Sequence, residues 1–111
     1  MAVHESEIKF NVSLDENRVP ENIVWSASDG GVSEAEAKAI MLAVWDEKSK
    51  STLRIDLWSK EMSVDEMKQF FHQTILTMSD TLIKSTNEEA MAGDMRDFAQ
   101  YFAEKMGLLN K

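Results

Sequence analysis

Apolar and polar residues alternate strictly in three places along the chain. Ile8, Phe10, Val12 and Leu14 alternate with Lys9, Asn11 and Ser13; Ile23, Trp25 and Ala27 alternate with Val24, Ser26 and Ser28; and Leu53, Ile55 and Leu57 alternate with Arg54, Asp56 and Trp58. A period of two sends successive side chains to opposite faces of an extended chain, so each segment predicts a strand with one buried face. Between the first two lies DENRVPEN, which holds the only proline and predicts a hairpin with a loop longer than the tight two-residue kind. Elsewhere the period is helical. Ser33 and Glu36 have capping-box spacing, and Ala37, Ile40, Met41, Val44 and Trp45 trace one helical face, with Asp29-Gly30-Gly31 as its entry turn. Ser63 and Glu66 repeat the box before Met67, Phe70, Phe71, Thr74, Ile75, Met78 and Leu82; Thr86 and Glu89 repeat it before Met91, Met95, Phe98, Ala99, Phe102 and Met106. Lys84 to Asn87 breaks the pattern, the alternative being a kink in one helix over Ser85 to Glu88.

The predicted order is therefore ββαβαα in a single α+β domain spanning residues 1–111. A hairpin followed by a helical crossover brings the third strand back beside the first, giving a three-stranded antiparallel sheet of order 2-1-3. Clean alternation in the first strand predicts that all three helices cover one face of that sheet. Phe70 and Phe71 then fall within the buried arc of the second helix.

Composition narrows the class. A chain of 111 residues buries about 65% of its unfolded surface and needs no metal or disulfide to fold. It contains no cysteine, which removes thiolate chemistry and favours a reducing compartment. The N-terminus lacks an apolar signal region and no long apolar run occurs, so the expectation is a cytoplasmic protein without membrane insertion. A net charge of -8 repels phosphate backbones, which argues against nucleic acid as a partner.

Candidate chemistry is sparse. His72, with Asp65 and Glu66 within two turns, offers an acid or base, but positions i+3 and i+4 from it are Ile75 and Leu76, and no nucleophile shares its face. Asp15-Glu16-Asn17 lacks the alternating oxygen ligands and central glycine of a calcium loop, and Asp94 with Asp97 suits a solvated face. No catalytic, cofactor or metal site is expected. Eight methionines, most at apolar helical positions, suit an adaptable core or a groove for a partner helix. Trp58 stands out: with Leu57 inward, it joins Arg54 and Asp56 on the wet face of the third strand, where an aromatic beside a charge pair suits a protein contact.

SEIKFNVSLDENRVPENIVWSASDGG, LRIDLWSKEMSVDEMKQFFHQTILTM and MRDFAQYFAEKMG resemble the GldC family, small proteins associated with gliding motility in bacteria of the Bacteroidetes type. The resemblance covers nearly the whole chain. It implies a non-enzymatic accessory role in the gliding apparatus. Together with the surface reading of the third strand, the expectation is a protein that docks on a component of the gliding or linked secretion machinery, with Trp58, Arg54 and Asp56 as the partner-binding residues. Alternatives are a chaperone-like binder of an amphipathic helix in a Met-rich groove, or a small ligand-binding protein or hydrolase using His72. A three-stranded sheet also leaves two edges, so a homodimer through a sheet edge is a further expectation.

Overall fold

Five strands precede two helices in the computed structural model, which describes residues 3–109. The strands are β1 (Ile8–Leu14), β2 (Pro20–Ala27), β3 (Val32–Ala37), β4 (Ala39–Asp46) and β5 (Ser51–Trp58), and the helices α1 (Val64–Thr86) and α2 (Glu89–Lys105). The chain divides into two compact units, one running to Met62 and the other beginning at Ser63.

In the first unit β1, β2 and β3 form an antiparallel sheet with β2 in the middle, while β4 and β5 pair as a separate two-stranded ribbon. Register follows the apolar pattern. Phe10 lies opposite Trp25 and Val12 opposite Ile23, so the alternating residues of both strands share one face. The Phe10 and Trp25 rings stack at 6.2 Å. Ile23 is completely buried, with Ala37 on its other side. Between β2 and β3 the pairing shifts at Ser26, whose Oγ accepts the Glu34 N–H at 2.9 Å while Glu34 takes a left-handed φ of 47°.

The second unit is an antiparallel helical hairpin. Ser63 Oγ accepts the Glu66 N–H and Glu66 Oε1 accepts the Ser63 N–H, both at 3.0 Å, closing the predicted box at the start of α1. Asn87, at φ 62°, ends α1 by donating its N–H to the Ile83 carbonyl. The seam between the helices is built from small residues, with Ser79, Ala92, Ala99 and Ala103 all buried. Side chains of this size let two backbones approach closely, so the larger Phe71 and Phe102 stack beside the seam at 6.5 Å.

The expected single sheet of order 2-1-3 under three helices is overturned: five strands form two sheets, β1 pairs only with β2, and β5 pairs with β4. The error lies at 32–46. Ser33 and Glu36 do not cap a helix but lie in β3, and the segment expected to be the first helix is the two strands β3 and β4 with Lys38 between them. Ala39 to Trp45 is an uninterrupted apolar run, which carries a helical stripe and two strand faces equally well. Gly30-Gly31, read as a helix entry, instead turns β2 back into β3, with Gly31 at φ 70°. The third box also does not form: Thr86 is the last residue of α1, and its Oγ1 accepts the Glu88 N–H at 3.1 Å.

Core placement sets different costs for chemically equal changes. Ile23→Ala should lower unfolding free energy by about 2–5 kcal/mol, the range for emptying a closed site. Ile8 stands on the same face but is 65% exposed, and Ile8→Ala should cost under about 1 kcal/mol. Urea denaturation of the two variants checks the difference, and equal losses would contradict this packing.

Candidate protein contact surface

β5 presents Thr52, Arg54, Asp56 and Trp58 on one face and Leu53, Ile55 and Leu57 on the other, as its alternation dictates. Register places Ala43 opposite Arg54, Met41 opposite Asp56, Ala39 opposite Trp58 and Trp45 opposite Thr52. Two tryptophans therefore stand on one face of the ribbon, toward its two ends, with small or flexible residues between. Trp45 is 63% and Trp58 57% exposed. Sequence reasoning singled out Trp58 but assigned Trp45 to a helical core; the signal that could have found it is the same period of two, Ala39, Met41, Ala43, Trp45, hidden by apolar residues at the intervening positions.

Between the tryptophans Arg54 and Asp56 are bound to each other. Arg54 Nη2 donates to Asp56 Oδ1 at 2.7 Å and Nε to Oδ2 at 3.2 Å, a fork-to-carboxylate arrangement. The hydrogen bonds raise the guanidinium pKa above its ordinary value and hold the Asp56 carboxyl below the usual carboxylate range. The pair is thus a neutral, pre-ordered patch on a chain of net charge -8.

Both ends of the ribbon are fixed. At one end Asp46 Oδ2 accepts the Ser49 N–H at 2.8 Å, its carbonyl accepts the Lys50 N–H at 2.9 Å, and Lys50 turns through φ 55°. The bond to Ser49 keeps the Asp46 carboxyl below its ordinary pKa. At the other end the buried Ser59 donates its N–H to the Lys38 carbonyl at 2.8 Å, and the Lys60 N–H reaches the Pro20 carbonyl at 3.2 Å. Lys60 Nζ then meets Asp15 Oδ2 at 2.7 Å. Asp15 Oδ1 also accepts the N–H groups of Asn17 at 2.8 Å and Val19 at 2.9 Å, ordering the β1–β2 loop.

The other candidates fall elsewhere. His72 is half-buried on α1, and Glu66 is engaged in the helix cap rather than beside it. Among the described residues no three His, Asp or Glu side chains cluster as a metal site would require. Met78 and Met91 are exposed, and Phe71, expected in the core, is 45% exposed on the hairpin surface.

This geometry defines a small α+β protein, a three-stranded sheet and a two-stranded ribbon followed in the chain by a helical hairpin, with the tryptophan-flanked ribbon as its most distinctive surface. The chain belongs to the family of gliding motility-associated GldC-like proteins, whose family model matches residues 20–108. No curated protein and no solved structure matches it. Among the described residues no helix is long and apolar enough to cross a membrane.

The Asp15–Lys60 pair predicts a pH dependence with two limbs. Asp15 is held below its ordinary pKa, first by Lys60 and then by backbone donors, so its contribution is complete above the ordinary carboxylate range and lost as pH falls through the lowered value. Lys60 is raised, first by its bond to Asp15, so its contribution is complete below its ordinary pKa and lost as pH rises through the raised value. Thermal midpoints against pH should therefore fall at both extremes. Asp15→Asn should lower the plateau and shrink both declines; an unchanged profile would show that the pair does not join these segments.

Proposed function

We propose that this chain is a non-enzymatic accessory protein of the gliding apparatus that docks, on the cytoplasmic side, onto a protein component of the gliding or linked secretion machinery. Membership of the GldC-like family supports the setting. The observation that carries the docking surface is the exposed face of the β4–β5 ribbon, where Trp58 and Trp45 flank the paired Arg54 and Asp56. Tryptophan supplies large contact area at little conformational cost, and a charge pair already formed before binding adds specificity without further ordering. The free edges of β4 and β5 offer backbone groups for strand addition by the partner. Lack of cysteine agrees with a reducing compartment.

Trp58→Ala tests the reading. Capture of the native partner should weaken by about 2 kcal/mol or more, the size of a hot-spot loss, while the unfolding midpoint stays near that of the parent, as expected of an exposed side chain. Binding lost only in proportion to unfolding, or no change in binding at all, would refute docking through this face.

A further inference from the structure

The helical hairpin is apolar on one side only. On α2, Met91, Phe98 and Phe102 each precede a buried alanine of the seam by one position, which sets them about 100° round the helix from it. On α1, Met78 likewise precedes the buried Ser79, and Phe71 lies one heptad earlier. Because the helices run antiparallel, these offsets bring all five residues to the same side, as the stacking of Phe71 on Phe102 and the contact of Phe98 with Phe102 require. The positions just after the seam residues are Asp80, Gly93, Gln100 and Glu104; there Arg96 pairs with Asp80 at 2.8 Å and Gln100 bonds Glu104 at 3.2 Å.

We propose that a second copy of this chain covers the apolar side, the two hairpins closing into a symmetric four-helix bundle. Phe71 to Met78 and Met91 to Phe98 are each seven residues apart, the repeat with which helices meet further helices across a bundle core. The face is self-complementary, since α1 and α2 contribute the same mixture of phenylalanine and methionine. An identical hairpin related by a two-fold axis meets it with like chemistry.

The area is sufficient. Met78, Met91 and Phe98, each more than half exposed, would remove about 100 Å² apiece. With the half-buried Ile75, Leu82, Met95 and Phe102 around them, the bundle reaches about 1,200 Å² in total, where stable interfaces begin.

Sedimentation of the full chain over a wide concentration range should give a dimer, strengthened by added salt because each copy carries a charge of -8. Phe98→Asp should raise the dissociation constant by about thirtyfold or more, with helical circular dichroism retained. A second measurement does not depend on that variant folding. The chain has no cysteine, so a disulfide formed by a single introduced cysteine must join two copies. Met78→Cys should cross-link under mild oxidation and Gln100→Cys, on the polar side, should not. A monomer at every concentration would overturn the proposal and leave the face to another surface, as would a dimer unaffected by a folded Phe98→Asp variant or equal cross-linking from both positions.

Discussion

The Asp15 carboxylate gathers two backbone N–H groups of its own loop and the ammonium group of Lys60, and this one junction ties the β1–β2 loop to the end of the ribbon. Its local bonds close the β1–β2 turn, in which Arg18 takes a left-handed φ of 64°. Its bond to Lys60 ties that turn to the chain leaving β5. Asp15 is only 14% exposed, so the ion pair is shielded on one side and its geometry costs little further ordering, whereas the exposed Lys50–Glu47 pair can add little. The neighbouring bonds from Ser59 to Lys38 and from Lys60 to Pro20 are backbone bonds beside the same junction. They fix where the ribbon begins, next to the buried Ile40 of β4.

How much of this was legible depended on how one-sided each segment is. β1 and β5 alternate cleanly, and the predicted strands coincide with them almost to the residue. α1 was legible because Ser63 and Glu66 are followed by apolar residues on a single helical arc, and the capping box is formed as its spacing implies. The segment 32–46 misled because Ala39 to Trp45 has no polar side to reveal its period. A capping box is local chemistry that any Ser-x-x-Glu offers, and in β3 the tertiary pairing with β2 overrode it. Placing the third predicted strand beside the first followed from that error: with no helix to cross over, β5 meets the strand before it in a simple hairpin.

The same distinction explains where the large apolar side chains went. Alanine and serine at the hairpin seam bring the helices together but bury little area, leaving Phe71, Phe98 and the methionines beside the contact rather than inside it. A core of phenylalanines had been expected from the width of the apolar arc on α1. Period alone shows which side of a helix is apolar; it does not show which part of that side meets its neighbour, because that depends on side-chain size in the partner helix, here Ala92, Ala99 and Ala103.

The misread segment is also what gives the contact surface its form. Had residues 39–45 been helical, Trp58 would have stood beside polar residues of a larger sheet, one aromatic among many neighbours. With β4 extended, its odd-numbered residues line up with the even-numbered residues of β5, and Trp45 joins the face that holds Arg54, Asp56 and Trp58. A slip of one residue would reverse every one of these side chains and bring Leu53, Ile55 and Leu57 to that face instead. The apolar face of Ile40, Leu42, Leu53, Ile55 and Leu57 opposes such a slip, because it would put Arg54 and Asp56 in its place. The ends reinforce the choice, where Asp46 holds the Ser49 and Lys50 turn and Ser59 holds Lys38. The exposed tryptophans are therefore positioned with the help of polar bonds at the two ends of the ribbon, while Ile40 is buried on the opposite face, so that the face carrying Trp45 and Trp58 is the one open to a partner.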